Sequence, residues 1–309
     1  MTHQPVLYHQ IIHALQPRDC GLYVDGTVGA GGHAWGILDA SSPNGKLLGL
    51  DIDPQALELA HERLKQFGDR AILIRASYTD LESQLSQIGW DAVDGIVLDL
   101  GVSSMQLDTP ERGFSFRAEA PLDMRFNPEG KTTAADFVNN LSEQALADIL
   151  YRYGEEQKSR QIARAIMAER PIHTTTQLVN VVLKVVGRSR EKIHPATRTF
   201  QALRIATNRE LEALEMILPI AVGALATGGR LAIISFHSLE DRMVKQYFRQ
   251  ESQDCLCPPK QPVCTCGHKA RIREVTRRPI RPNETEVLQN PRARSACLRV
   301  AEKISSPSK

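Results

Sequence analysis

This 309-residue sequence has no apolar run long enough to span a membrane, and residues 1–20 lack the apolar core of a signal peptide. We therefore expect a cytoplasmic protein. Aromatic residues make up only 5% of the chain and no internal repeat is visible, so a repeat architecture is not expected. With 42% hydrophobic residues, the chain still has enough apolar side chains for one large core and a smaller one.

The sequence also lacks the Gly-x-Gly-x-x-Gly turn of dinucleotide-binding folds. Residues 25–33 instead read DGTVGAGGH and follow the short apolar run Leu22-Tyr23-Val24. A dinucleotide fold places pyrophosphate at the start of the next helix, where the charge of Asp25 would face phosphate. The turn suits a cofactor whose adenosine carries a cationic or neutral head, such as S-adenosylmethionine. A simple glycine-rich loop is the alternative.

A second acid follows the next apolar run, residues 46–50, about 20 residues beyond the glycines. This is the distance at which a ribose-binding acid is expected, so we predict that Asp51 binds the ribose hydroxyls. The alternative is a solvated aspartate at the end of a strand, with Pro54 opening the helix that follows.

Two further apolar runs, residues 71–76 and 95–98, have the composition of buried parallel strands. They end at Ser77-Tyr78 and at Asp99. The carboxyl ends of parallel strands form the ligand crevice of an open sheet. We therefore expect Tyr78 and Asp99 to point toward the same pocket as the two acids described above.

The alternation of strand and helix stops after Asp99, and residues 136–188 show helical periodicity instead. The sheet pattern resumes with a predicted helix over residues 208–226, stopped by Gly228-Gly229, and with strands over residues 231–234 and 295–301. The sequence thus predicts an α/β fold, a mostly parallel sheet into which an all-helical domain is inserted. Residues 1–106 and 213–309 are expected to form the cofactor-binding domain, and residues 107–212 the substrate-recognition insert.

The net charge is only +2, but the charge is unevenly distributed. Residues 151–210 contain 12 Lys and Arg against 5 Asp and Glu, and residues 269–309 contain 11 against 4. Two basic segments on an otherwise acidic chain are typical of a protein that binds a polyanion. Arg198 and Arg204 in the first segment and Arg292 and Arg294 in the second are the candidate phosphate contacts; a solvated surface is the alternative.

Two residues are candidates for the chemistry of methyl transfer to an exocyclic amine. Asp99, at a strand end, can accept a hydrogen bond from the amine. His237 follows the strand at 231–234, next to Phe236, and can take or relay a proton while the phenyl ring faces a base. We predict that Asp99 and His237 are catalytic, although a lone histidine is more often structural.

Six motifs occur in order along the chain. They are DGTVGAGGH from Asp25, DLGVSS from Asp99, RGFSF from Arg112 with PLDMR from Pro121, HPATRTFQA from His194, SFHSLEDR from Ser235 and NPRARS from Asn290. Together they resemble the bacterial small-subunit rRNA cytosine-N4 methyltransferase family, known as MraW, over nearly the whole chain.

The resemblance implies a class I methyltransferase sheet, S-adenosylmethionine as cofactor, and methylation of N4 of a cytidine in the decoding region of 16S rRNA, either free or in the small ribosomal subunit. By motif position, the residues implied to contact the cofactor are Gly31, Gly32, His33, Asp51, Tyr78, Asp99 and Gln106. Where this chain has Tyr78 the family often has Phe, and where it has Met105 the family often has Pro. Both differences preserve the shape.

The cysteine pattern is not explained by this resemblance. Four of the six cysteines lie close together, as Cys255-Leu256-Cys257 and Cys264-Thr265-Cys266. Their density predicts a metal site, because disulfides are rare in the cytoplasm. The spacing differs from the usual Cys-x-x-Cys of zinc sites, however, and a reduced, flexible loop is the alternative.

Two other function classes stay open at this point. An NAD-dependent oxidoreductase is disfavoured by Asp25 and by the missing dinucleotide turn. A non-catalytic RNA-binding module would use the basic segments alone, and it would transfer no methyl group.

Overall fold

The computed structural model describes residues 5–187, 194–259, 261 and 263–305. The chain divides into two compact units: a sheet unit of residues 1–101 and 212–309, and a helical unit of residues 102–211. The sequence placed the first boundary at residue 106 instead. Val102 and Leu107 pack against the core of the helical unit, so the segment that follows Gly101 belongs to it.

The described part of the sheet unit contains seven strands. They are β1 (Leu22–Asp25), β2 (Lys46–Asp51), β3 (Ala71–Arg75), β4 (Val93–Asp99), β5 (Leu225–Ser235), β6 (Ile272–Glu274) and β7 (Cys297–Lys303). They form one sheet in the order β3-β2-β1-β4-β5-β7-β6. The first five strands pair in parallel, whereas β7 runs antiparallel to both β5 and β6. The predicted mostly parallel sheet of a class I methyltransferase is thereby confirmed.

The helices follow in chain order. They are α1 (Tyr8–Leu15), α2 (Gly32–Ala40), α3 (Pro54–Leu64), α4 (Leu81–Gln87), α5 (Ser104–Asp108), α6 (Ala134–Asn140), α7 (Glu143–Gly154), α8 (Ser159–Glu169), α9 (Thr175–Val186), α10 (Thr197–Asn208), α11 (Glu210–Ala224), α12 (Ser238–Glu251) and α13 (Glu284–Gln289). Helices α5 to α10 belong to the helical unit, which the chain enters after β4 and leaves before β5.

The central strands β1, β2 and β4 are apolar at most positions, and their side chains are buried on both faces of the sheet. Val97 of β4 packs into one core, which includes apolar side chains of α1, α2 and α3. Its neighbours Ile96 and Leu98 pack into a second core, with side chains of α4, α11 and α12. Successive strand residues point to opposite faces, so unbroken apolar runs are what a sheet covered on both sides requires.

The helical unit has a core of its own. Leu146 and Leu150 of α7, Ile162 and Ile166 of α8, and Leu203 of α10 are fully buried in it. These residues recur at helical spacing, as the periodicity of the sequence predicted. The predicted role of this unit in substrate recognition stays a prediction.

The Gly228-Gly229 pair does not end a helix, contrary to the prediction. Helix α11 ends at Ala224, and both glycines lie within β5. There the pairing of β5 with β4 shifts register, and Gly228 has a φ of +82°. A bulge of this kind tolerates a positive φ at glycine, so the pair serves the strand and not a helix end.

The sequence analysis also did not identify β6, whose three residues are too few to show a pattern. The last strand begins at Cys297 rather than at residue 295, because residues 291–295 form a short 3-10 helix.

Candidate active site

The glycine turn after β1 is tied to the carboxyl ends of the neighbouring strands. Gly26 donates its backbone N–H to the carbonyl of Val97 at 3.0 Å, and Val28 donates to that of Leu50 at 2.9 Å. These bonds hold the turn against β4 and β2, as expected for a ligand-binding turn at this edge of the sheet.

Gly31 and Gly32 join this turn to α2. Gly31 is the N-cap residue of α2 and has a φ of +76°, which only glycine adopts readily. A Cβ on Gly32 would lie 2.3 Å from Cγ of Pro5. No side chain of the described residues caps α2, so backbone N–H groups of its first turn are available to a ligand.

Asp51 is held in place by two backbone amides. Its Oδ2 accepts a hydrogen bond from Gly29 N–H at 2.9 Å, and its Oδ1 accepts one from Asp53 N–H, also at 2.9 Å. Burial raises the pKa of Asp51, while the N–H donors of Asp53 and Gly29 oppose the rise. Each carboxylate oxygen has a second lone pair, so the oriented carboxylate can still accept from hydroxyl groups.

Asp25 is a deeply buried acid at this edge of the sheet. It is only 1% exposed, and its Oδ1 accepts a hydrogen bond from Thr27 N–H at 3.2 Å. Burial raises the pKa of Asp25 to about 7; the charges of Asp99 and Asp51 add to the rise, whereas His33 and the Thr27 amide oppose it. A carboxyl that titrates near neutral pH beside two other acids is typical of a functional site.

His33, in the first turn of α2, faces Asp99 at the end of β4. His33 is buried, and its Nε2 lies 3.6 Å from Oδ2 of Asp99. The backbone N–H of Asp99 donates to Oγ1 of Thr27 at 2.7 Å, which fixes the end of β4 against the glycine turn. Within the described residues, neither ring nitrogen of His33 nor Oδ1 of Asp99 has a hydrogen-bond partner. Buried polar atoms without partners are costly, so this pair is suited to a polar ligand.

Tyr78 begins a short 3-10 helix after β3. A Cβ on Gly26 would lie 3.2 Å from Cβ of Tyr78, so the tyrosine adjoins the glycine turn as the sequence predicted. Its ring packs partly against the core between the sheet and α4. The location of Tyr78 beside this turn leaves it suited to contact a bound cofactor.

Phe236 and His237 follow β5, the strand next to β4. The backbone N–H of Leu100 donates to the carbonyl of Ile234 at 2.9 Å, and a Cβ on Gly101 would lie 3.5 Å from the ring of Phe236. Leu100 and Gly101, which follow Asp99, therefore lie beside the residues at the end of β5, including Phe236. The sequence predicted this arrangement by assigning the two segments to the ends of strands in one sheet.

His237 has a structural role that the sequence analysis did not identify. It is the N-cap residue of α12, where its Nδ1 accepts a hydrogen bond from Glu240 N–H at 3.4 Å. Its Nε2 lies 3.1 Å from Oε1 of Glu240, and the side chain is 7% exposed. Both ring nitrogens thus face Glu240, and the predicted catalytic role of His237 stays a prediction.

Gln106, the predicted cofactor contact in the helical unit, also forms a helix cap. Its Oε1 accepts a hydrogen bond from Ser103 N–H at 3.1 Å, and the Ser103 hydroxyl accepts from Gln106 N–H at 3.2 Å. This reciprocal pair is a capping box that starts α5.

The four arginines predicted to bind phosphate differ in their surroundings. Arg198, Arg292 and Arg294 are exposed. Arg204 is not: it makes a two-point ion pair with Glu210 at 2.8 Å for both contacts, and the two side chains are 16% and 7% exposed. Because that pair occupies its guanidinium in the interior of the helical unit, the prediction that Arg204 binds phosphate was wrong.

Sequence reasoning did not identify the pairing of His33 with Asp99. The available signal was the position of His33 at the second residue of the helix after the glycine turn. There a side chain can point back toward the strand ends. The pairing itself joins residues 66 positions apart and requires β1 to lie beside β4.

None of the helices in the described part of the chain is both long and apolar enough to cross a membrane.

The chain is similar to known proteins over nearly its whole length. The model of the MraW methylase family matches residues 1–304. Ribosomal RNA small subunit methyltransferase H of Heliobacterium mobile is 52% identical over 308 residues, covering 98% of this chain and 99% of that protein. The protein of the same name from Thermomicrobium roseum is 51% identical, covering 98% and 94%.

Among solved structures, an rRNA methylase from Streptococcus thermophilus matches with a TM-score of 0.46 and 12% identity, covering 99% of each chain. The family model and the curated relatives both extend over nearly the whole sequence. This chain therefore belongs to the MraW methylase family of S-adenosylmethionine-dependent methyltransferases.

Proposed function

We propose that this chain transfers the methyl group of S-adenosylmethionine to N4 of a cytidine in the decoding region of 16S rRNA. Family membership supports the methyl transfer, and the names of relatives at 51–52% identity support small-subunit rRNA as the substrate. The choice of cytidine N4 rests on the six ordered motifs. The observation that carries the proposal is the pairing of buried His33 with partly buried Asp99 beside the glycine turn.

The residues at the carboxyl edge of the sheet fit the cofactor. S-adenosylmethionine supplies an electrophilic methyl group on a sulfonium centre. Asp51, oriented by two amides, accepts hydrogen bonds from the ribose hydroxyls. The uncapped first turn of α2 binds the carboxylate of the methionine moiety, because helix N-termini attract anions.

The remaining predicted contacts are with different parts of the cofactor. Gly31 and Gly32 have no side chain that would exclude the ligand from the turn. Tyr78 lines the pocket beside Gly26 and packs against the adenine. Gln106 is the predicted contact from the helical unit.

Asp99 and His33 act on the amine of the substrate. The lone pair of a cytosine amine is delocalised into the ring, so the nitrogen is a poor nucleophile until its N–H groups are engaged. Asp99 accepts a hydrogen bond from one N–H through Oδ1, which has no partner among the described residues. S-adenosylmethionine would supply the methyl group, and the nitrogen that accepts it would have to lose one proton. His33, whose Nε2 lies 3.6 Å from Oδ2 of Asp99, is the proposed acceptor of that proton.

His237 is the other candidate proton acceptor. Its position after β5 favours that role, whereas its two contacts with Glu240 favour helix capping. Phe236, beside Gly101, presents a ring on which a base can stack.

Substrate RNA is bound by the basic segments. Arg198 in the helical unit and Arg292 and Arg294 in the sheet unit are exposed, as residues that contact phosphates must be. We propose that the helical unit recognises the RNA and that the sheet unit supplies the cofactor.

The test is methyl transfer followed by nucleoside analysis. Purified enzyme is incubated with tritium-labelled S-adenosylmethionine and with either free 16S rRNA or small ribosomal subunits from cells that lack the enzyme. We expect labelled N4-methylcytidine from at least one substrate, and none with Asp99→Ala. Label on another atom would contradict the proposed substrate position, and RNA binding without transfer would identify a non-catalytic RNA-binding module.

A further inference from the structure

The segment between α12 and β6 contains a cysteine cluster that methyl transfer does not use. Cys255, Cys257, Cys264 and Cys266 are arranged as two Cys-x-Cys pairs. Their Sγ atoms all lie within 4.8 Å of one another. The spacing along the sequence left open a metal site and a flexible loop, and the positions of the sulfur atoms favour the metal site.

The distances between the sulfurs match a single tetrahedral ion. The Sγ atoms of Cys255 and Cys264 are 3.5 Å apart, those of Cys264 and Cys266 are 3.6 Å apart, and those of Cys255 and Cys266 are 3.9 Å apart. Four thiolates about 2.3 Å from a central zinc ion form a tetrahedron with edges of about 3.8 Å. No disulfide joins any of these cysteines.

Backbone N–H groups donate hydrogen bonds to three of the four cysteine sulfurs. Cys266 Sγ accepts from Leu256 N–H at 3.3 Å, Cys255 Sγ accepts from Cys257 N–H at 3.4 Å, and Cys257 Sγ accepts from Thr265 N–H at 3.4 Å. A neutral thiol is a weak acceptor, whereas a thiolate is stabilised by such donors. Amides that donate to metal-bound thiolates also orient them.

The surrounding segment has no apolar core to hold the cluster together. Among the described residues from 253 to 269, none is buried, and Leu256 and Val263 are exposed. Ordering an exposed loop so that four sulfurs meet costs conformational entropy, which small unsupported segments usually offset with a metal or with disulfides. An ion bound by four thiolates supplies that stabilisation.

We infer that Cys255, Cys257, Cys264 and Cys266 bind one Zn²⁺ ion in a closed, structural site. An all-sulfur set excludes Mg²⁺ and Ca²⁺, which prefer oxygen. An iron–sulfur cluster would distribute the thiolates over several iron atoms and so separate the sulfurs further. All four tetrahedral positions are protein ligands, so the ion has no open position for substrate or water.

The site anchors the connection from α12 to β6. At the base of the segment, Arg271 N–H donates to the carbonyl of Glu251 at 2.9 Å, and Ala270 N–H donates to Oδ1 of Asp254 at 3.3 Å. Nε2 of His268 lies 3.2 Å from the carbonyl of Gln250. The ion therefore fixes the segment onto the end of the helix whose first turn is capped by His237. This inference does not depend on the proposed function.

Metal content of the full-length chain tests the inference directly. The protein is purified without a metal-affinity step, under reducing conditions, and analysed by inductively coupled plasma mass spectrometry. We expect about one zinc ion per chain, reduced to less than about a tenth in Cys264→Ser/Cys266→Ser. Cys20→Ser, which changes an exposed cysteine outside the cluster, is the matched control and should retain the ion.

A measurement on the unaltered chain keeps the test valid if the double variant fails to fold. Zinc is removed with a chelator, and Co²⁺ is added while the absorbance is recorded. We expect the visible bands of tetrahedral cobalt thiolate, saturating at about one equivalent and displaced by Zn²⁺. Less than about a tenth of an equivalent of zinc after incubation with zinc and dialysis, iron in its place, or zinc retained by the double variant would each overturn the inference.

Discussion

Nε2 of His33 lies 3.6 Å from Oδ2 of Asp99, and the two side chains follow adjacent strands, β1 and β4. The pair is positioned by the glycine turn, since Thr27 Oγ1 accepts the backbone N–H of Asp99. A buried histidine beside a carboxylate at the ligand edge of the sheet is the arrangement on which the proposed chemistry depends.

Replacement of Asp99 is expected to cost the most activity. We expect Asp99→Ala to lower the single-turnover rate by more than His237→Ala, because Asp99 touches the amine or the cofactor directly. The measurement is single-turnover methylation with saturating cofactor and RNA. An active Asp99→Ala enzyme would contradict the placement of the reacting groups at the end of β4.

His237 is tested with two substitutions that separate proton transfer from helix capping. We expect His237→Ala to lose roughly 10² to 10⁴ in single-turnover rate. Asn is a good N-cap residue, so His237→Asn should retain the stability of α12, whereas His237→Ala should lose about 1 kcal/mol. We expect the Asn variant to be as slow as the Ala variant. Recovery of the wild-type rate in His237→Asn would limit His237 to capping.

Asp51→Ala is expected to weaken cofactor binding by about 1.5 to 3 kcal/mol, the scale of a charge-assisted hydrogen bond. Calorimetry with S-adenosylhomocysteine measures the change, and circular dichroism checks the fold. Asp91→Ala, which removes an exposed acid before β4, is the control and should bind normally. Normal affinity in a folded Asp51→Ala variant would exclude ribose binding by this residue.

The pKa of Asp25 predicts how stability depends on pH. The folded chain holds this proton up to about pH 7, whereas the unfolded chain releases it near the ordinary value of 3.8. The folded state therefore binds more protons between these values, and the contribution of Asp25 makes the protein less stable as the pH rises through that window.

Asp25→Asn removes this effect. We expect the variant to be more stable than the wild type at about pH 8, by about 4 kcal/mol, with the difference falling below about 1 kcal/mol near pH 4. Urea unfolding at both pH values measures it, with the exposed Asp91→Asn as control. A difference that does not change with pH would show that the Asp25 pKa is not raised.

RNA binding is expected to depend on the exposed arginines only. Replacing Arg198, Arg292 and Arg294 with Gln should lower RNA affinity and flatten its salt dependence, because each lost phosphate contact reduces counterion release. Cofactor affinity should hardly change. An unchanged salt slope would show that these arginines do not contact phosphate.

Arg204→Gln is the matched comparison from the same basic segment. It leaves Glu210 buried without its ion pair, so we expect a loss of several kcal/mol in the free energy of unfolding. In the fraction of this variant that is folded, the salt dependence of RNA binding should equal that of the wild type.

The sequence by itself determined the class of sheet and the set of candidate acids. Apolar runs ending at Asp25, Asp51 and Asp99 require strands buried on both faces, because a strand with one wet face would alternate. Their acids then meet at one edge, since parallel strands share the position of their carboxyl ends. These inferences hold because strand periodicity and strand ends are local properties of the chain.

Only the tertiary structure decided what each polar side chain contacts. Arg204 binds Glu210 in the interior, and the Gly228-Gly229 pair forms a bulge against β4. His33 of α2 lies beside Asp99 at the end of β4, and the sulfur atoms of four cysteines from two separate Cys-x-Cys pairs lie within 4.8 Å of one another. The first three relationships depend on which elements the fold places side by side, so spacing along the chain does not identify them. The cysteine spacing suggested a metal site, but only the positions of the sulfur atoms show that all four lie close together.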